Sequence, residues 1–214
     1  TYKKINKLQN GHKVVVGVTN ENPLPSIAYE FVFELDEYIK KHQLNVEISF
    51  FTSEQNFMEN AGGKVTDIVA KHMEQKQIKY YCNKKITKLK KNELELDDGQ
   101  KLSFDWSFIL PPYKGSEYIF KSEGISHQNG LIEVNDYLQL KGYENVFAVG
   151  DIVIVNNKSL KNGRLAELQG EYAANTIVKQ IHGEDYKEEK FQGNLMALWE
   201  LGTDGAVMAF KHPM

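Results

Sequence analysis

Glycine followed by aspartate at the end of an apolar run is the pairing in this chain with the most chemical content: Val146-Phe147-Ala148-Val149-Gly150-Asp151. The β-branched and aromatic residues from Val146 to Val149 predict a short buried strand, and Gly150 lets the backbone come close to a ligand. Asp151 is then aimed beyond the strand's carboxyl end. A short acceptor there can take hydrogen bonds from sugar or ribityl hydroxyls, and strand ends are where open α/β sheets bind ligands. Any α/β protein with a strand ending in Gly-Asp is the alternative reading, because short motifs recur by chance.

Other residues could do chemistry at separate places. Glu30, early in a predicted helix, is either a proton carrier or only a favourable partner for the helix dipole. Gly17-Val18-Thr19-Asn20-Glu21-Asn22 keeps only the first glycine of a dinucleotide fingerprint. Glu54 follows at the end of the next strand, where an acidic residue would take a ribose 2′-hydroxyl, so NAD binding rests on one carboxylate. Pro111, Pro112 and Tyr113 either line a ligand edge or form a rigid exit from a domain. Cys82 is the one cysteine, so there is no internal disulfide, and it is expected to be a small buried hydrophobe at the end of an inner strand. The six histidines show no i, i+4 pairing, and no metal site is expected.

Composition sets the bounds. A chain of 214 residues with 41% hydrophobic and 26% charged side chains can bury a core as one large or two modest domains. A formal charge of -3 and a pI near 6.1 leave no basic footprint, which excludes nucleic acid as a partner. No stretch approaches the length of a membrane span. The start, Thr1-Tyr2-Lys3-Lys4-Ile5, lacks an initiating Met and reads as that of an excised piece.

The elements that must position these residues follow from periodicity. Val14 to Val16 predicts a buried strand, then a breaker-rich loop from Gly17 to Ser26. A helix capped by Ser26 follows, with Ile27, Phe31, Leu35 and Ile39 on one face. Val46 to Phe51 is the next strand. A Gly62-Gly63 break opens a second helix carrying Val65, Ile68, Val69 and Met73, before a strand from Ile78 to Cys82. Hairpin strands are expected at Ile86 to Leu89 and Glu93 to Leu96, with a turn at Asp98-Gly99, a third strand around Leu102 and a longer one from Phe104 to Leu110. Residues 12–110 therefore make a Rossmann-like α/β domain of NAD type. Residues 111–214 offer a polar connection over 113–130 and short strands at Leu131 to Val134 and Tyr137 to Leu140. The Val146 strand, a helix from Arg164 to Ile181 and strands within Asn194 to Phe210 complete them. These supply too few parallel strands for a sheet of their own, so this part reads as the C-terminal half of an incomplete domain.

The order of these motifs is specific. The Val-Val-Gly strand, Ala28-Tyr29-Glu30-Phe31, Phe51-Thr52-Ser53-Glu54, Leu110-Pro111-Pro112-Tyr113-Lys114-Gly115 and the run ending in Gly150-Asp151 resemble the C-terminal half of a sulfide:quinone oxidoreductase. That family is a group of flavoproteins with two dinucleotide-type domains, related to type II NADH dehydrogenases. The resemblance implies an FAD enzyme passing electrons from a small reductant to a quinone. It implies that Gly150, Asp151, Ala166, Pro111 and Tyr113 contact the cofactor and that Glu30 lies near it as the catalytic acid–base. Ala166-Glu167-Leu168-Gln169-Gly170 is similar to the pattern on the helix beneath the flavin in type II NADH dehydrogenases, where the helix N-terminus would stabilise the anionic reduced flavin.

The departures narrow the expectation. Leu24 and Ile152 stand where sulfide-oxidising members place cysteines, and neither can form a thiolate or persulfide. An NADH:quinone oxidoreductase and a non-catalytic α/β binding or assembly module stay open as alternatives. The full-length protein is expected in the cytoplasm or on the inner face of the membrane, with peripheral contact through a segment beyond Met214, and as a homo-oligomer. The fragment alone is expected to be inactive.

Overall fold

Val14, Val15, Val16 and Val18 are all at most 2% exposed, so the strand they form is covered on both faces. In this computed structural model the described residues are 2–19, 22, 24–61, 63–125, 127–155, 161–183 and 189–211. After a short helix α1 (Tyr2–Ile5), strand β1 (Lys13–Val18) lies between β2 (Glu47–Thr52) and β7 (Trp106–Leu110), and β3 (Lys79–Tyr81) pairs with the outer side of β2. Every pairing in this sheet is parallel. Parallel strands of this kind need crossover helices on their faces, which is why they read as unbroken apolar runs.

Side-chain alternation divides the core. Val14, Val16 and Val18 face helices α2 (Ser26–Lys41) and α3 (Gly63–Gln75), together with Val32, Phe33, Phe50 and Met73. Val15 and Phe51 face the opposite way and pack with Leu94, Leu96, Leu102 and Phe104. The cover on that side is an antiparallel meander, β4 (Ile86–Leu89), β5 (Glu93–Leu96) and β6 (Lys101–Ser103). Its β5–β6 turn is closed by Gly99 at φ +84 and by the Asp98 carboxylate accepting from the Gln100 N–H. This is the expected Rossmann-like α/β architecture.

Several local expectations are corrected. Pro25, not Ser26, occupies the cap of α2, and no side chain accepts there. The first N–H groups go instead to the Leu24 and Pro25 carbonyls. Leu35 and Ile39 are buried as expected, but the rest of the buried face runs through Ala28, Tyr29, Val32 and Phe33, while Ile27 is 42% exposed. Ile68 of α3 is likewise exposed. Phe104 lies outside β7, turned into the meander core. Cys82 follows an edge strand rather than an inner one and is half-buried, since β3 has a neighbour on one side only.

The chain divides into two compact units, residues 1–112 with 198–208, and 113–197 with 209–214. The second contains a short helix α4 (Glu117–Phe120) and a sheet of three strands, β8 (His127–Gln128), β9 (Leu131–Val134) and β10 (Val153–Val155), with one parallel pair, β9–β10. A sheet of its own is therefore present. The long helix α5 (Gly163–His182) buries Leu165, Gln169, Ala173 and Thr176, a single helical stripe. The hairpin β11 (Asn194–Leu201) and β12 (Asp204–Lys211) ends the described chain, and its residues 198–208 pack in the first unit, with Leu201 in that core.

Two expected strands are absent here. Tyr137 to Leu140 is a turn in which the Asn135 side chain accepts from the Tyr137 and Gln139 N–H groups and Leu138 sits at φ +60. Val146 to Val149 makes only local bridges to residues 138–140, and Val146 is 39% exposed. The buried strand is the run after the motif, Val153-Ile154-Val155. Two apolar runs flank Gly-Asp, and only the second has a partner strand.

Candidate functional site

Gly150 sits at φ +82, a left-handed conformation that glycine tolerates at little cost. Residues Gly150–Ile152 form a single tight turn against α5. The Gly150 N–H donates to the buried Gln169 Oε1 at 2.6 Å, and a Cβ at Gly150 would meet only the Ala166 methyl at 3.6 Å. Small residues at 150 and 166 thus leave space beside the turn. Asp151, next in the turn, keeps its carboxylate exposed.

The helix behind the turn starts cleanly. Asn162 is extended, and its side chain accepts from the Arg164 and Leu165 N–H groups. Part of the anion-binding capacity of that N-terminus is therefore already used by its own cap. This differs from the expected helix end with unpaired donors.

A lysine that the sequence reading did not single out completes the cluster. Lys161 is 4% exposed, donates to the Val153 carbonyl at 2.7 Å and lies 5.7 Å from the centre of the Tyr113 ring. Burial pulls its ammonium down to about 8, and the neighbouring Asp151 charge opposes that shift. The Tyr113 hydroxyl is pushed above its usual range by burial and by Asp151. Among the described residues Lys161 makes no close ion pair, so a cation is held in a dry place beside an exposed carboxylate. Burying an ammonium without a close partner is costly, which marks this place as a candidate site.

Gly150, Asp151, Ala166 and Tyr113 are thereby gathered in the second unit, and Glu30 and Pro111 lie in the first. The Glu30 carboxylate accepts from the Glu200 N–H at 3.3 Å, and burial raises its affinity for a proton. The Pro111 carbonyl accepts from the Asn22 side chain at 2.7 Å. Leu24 and Ile152 are half-buried apolar side chains. Burial and the Glu54 charge push the Cys82 thiol up to about 11, which leaves it protonated and unreactive at neutral pH. Glu54 is held inside the first unit by hydroxyl groups of the chain itself.

The chain is similar to ferroptosis suppressor protein 1 of Xenopus laevis, 34% identical over 122 residues, which is 56% of this chain and 32% of that protein. The Mus musculus protein of the same name is 27% identical over 117 residues, 54% of this chain and 31% of the relative. Among solved structures, the sulfide:quinone oxidoreductase of Aquifex aeolicus superposes with a TM-score of 0.83 at 19% identity, over 97% of this chain and 52% of that one. A chain in the mitochondrial ATP synthase structure of Tetrahymena thermophila gives 0.73 at 18% identity, over 98% of this chain and 52% of that one. The chain thus spans about half the length of these solved chains and about a third of the two curated relatives. Residues 26–173, well over half of the sequence and inclusive of the Gly150 turn, match the family described as pyridine nucleotide-disulphide oxidoreductase. The chain belongs to that family of oxidoreductases.

Proposed function

We propose that this chain is part of an FAD-dependent oxidoreductase that passes electrons from a small reductant to a quinone. The observation that carries the reading is the turn at Gly150 and Asp151, fixed by Gln169 and flanked by the buried Lys161. FAD bound there would supply the two-electron redox chemistry. Asp151 would accept hydrogen bonds from hydroxyls of the ligand, and Gly150 and Ala166 would leave room for its approach. Lys161 would hold positive charge near the site, and an ammonium pulled down to about 8 can also release a proton near neutral pH. Tyr113 covers one side of that ammonium. Glu30 as acid–base and Pro111 as a cofactor contact are proposed on the family resemblance, each within the first unit. Sulfide is not the favoured reductant, because Leu24 and Ile152 offer no thiol.

This reading places the full-length protein at the inner face of a membrane, where a quinone is reached. Among the described residues no helix is long and apolar enough to cross one. A second reading, a non-catalytic assembly module, is favoured by the occurrence of the fold in a chain of the Tetrahymena ATP synthase structure. Flavin separates the two. The full-length protein should purify yellow and reduce a short-chain quinone, while Asp151→Ala should lose flavin on extensive dialysis, at about 1–3 kcal/mol for the hydroxyls left unpaired. The 214-residue chain alone should retain none. A colourless full-length protein would favour the assembly module, and unchanged flavin in the Asp151 variant would remove the turn from the site.

A further inference from the structure

In a sheet of this type a dinucleotide lies across the carboxyl ends of the first two strands. A glycine turn receives the pyrophosphate, and an acidic residue at the end of the second strand takes the ribose hydroxyls. The acidic position is held here by the protein itself, and the one glycine of the fingerprint serves another purpose. Gly17 lies within β1 rather than in a turn after it, and the Phe51 ring fills the space where its side chain would stand. The glycine therefore serves packing between sheet and meander. Glu54, at the acidic position, has Oε2 bonded to the Tyr29 hydroxyl at 2.7 Å and to the Thr52 hydroxyl at 2.9 Å.

The other oxygen of that carboxylate, Oε1, is cut off from solvent and has no close hydrogen-bond partner among the described residues. Tyr29 cannot readily turn away. It is 1% exposed, its ring lies 4.7 Å from that of Phe50 and 6.0 Å from that of Phe57, and its hydroxyl also accepts from the Met58 N–H at 3.4 Å. Burial raises the proton affinity of both Glu54 and Tyr29, which fits a pair withdrawn from water.

We propose that Tyr29 and Thr52 close the nucleotide end of the first unit by holding the Glu54 carboxylate, so that this unit does not bind NADH or NADPH. The proposal bears on the donor in the reading given above and stands on geometry in the first unit alone. In that reading the reductant is of another chemical class, and the domain of nucleotide-binding type serves as a scaffold for it.

The 214-residue chain, shown to be folded by its dispersed amide spectrum, is titrated with NADH and with NADPH to millimolar concentration by saturation-transfer NMR. No saturable binding is expected, and saturable binding of either overturns the proposal. The side-chain carboxyl ¹³C resonance of Glu54 is followed against pH in the same sample. It should titrate above the ordinary glutamate range and move further up in Tyr29→Phe, because one donor to the charged form is lost. Thr52→Val gives the same reading if the tyrosine variant folds poorly. A Glu54 that titrates as an exposed glutamate, or that is unmoved in both variants, overturns the proposal. A yellow, quinone-reducing full-length protein that binds NADH would sink this inference alone, and a colourless one that binds none would sink only the earlier reading.

Discussion

A lone lysine in a loop carries almost no pattern, and Lys161 shows why its role was not legible. Its neighbours Ser159, Leu160, Asn162 and Gly163 read as a polar connection, and lysine is usually solvated. Only the fold puts it beside Asp151 and under the Tyr113 ring. Gly150 and Asp151, in contrast, were singled out from the sequence as a glycine and a short acceptor at a strand end, and the structure puts Gly150 at φ +82 in a tight turn. Glu54 was legible as an acid at a strand end but not as one already held, since Tyr29 is 25 residues away in sequence. The lysine also gives a pH signature. Its folded value, about 8, lies below the ordinary 10.5, so between those values the unfolded chain binds more protons and this group's contribution to stability rises with pH. Below about 8 the full cost of burying the charge is present. Urea midpoints of the wild type and Lys161→Met, taken at neutral pH and again above about 9, should show the wild type gaining on the variant. A difference that stays constant would mean that the ammonium is as well solvated folded as unfolded.

Elements with their own periodicity were placed well, as were strands β4, β5 and β9, while the runs around the Gly-Asp pair were not. The helix expected from Arg164 to Ile181 is α5, Gly163–His182, because its apolar stripe and the glycine after it are local signals. At its end Gly183 takes the left-handed cap at φ 64. The run Val146 to Val149 was read as the strand and Val153 to Val155 was not, yet only the latter finds a parallel neighbour in β9. Strand propensity describes a surface that fits a sheet, and the sheet itself is a non-local fact. The start of α5 can be tested through its cap. Asn162→Ala leaves the Arg164 and Leu165 N–H groups without their acceptor and should lower stability by about 1 kcal/mol, with Asn162→Asp restoring most of it. Chemical denaturation followed by circular dichroism reads this directly. An alanine variant as stable as the wild type would show that water replaces the cap.

At the scale of the whole molecule, the chain does not divide simply along its length. Residues 198–208 of the C-terminal hairpin pack in the unit built by residues 1–112, and no local pattern could have said so. The hairpin is held there by α2. Glu30 accepts from the Glu200 N–H, and Leu201 is 3% exposed in the core that Tyr29, Met58, Val65 and Val69 also form. The two tryptophans of the chain, Trp106 in β7 and Trp199 in β11, both belong to this unit, so tryptophan fluorescence reports its unfolding alone. Leu201→Ala should therefore weaken a unit whose other residues end some 90 positions earlier in sequence. Truncating a buried leucine costs about 2–5 kcal/mol, and the small apolar cavity already present among Tyr29, Val69, Trp199 and Leu201 would grow rather than collapse. The fluorescence transition in urea should shift to lower concentration by an amount matching that loss. If it stays where the wild type has it while a probe of the second unit moves, the hairpin stabilises the second unit instead, and the assignment of residues 198–208 to the first fails.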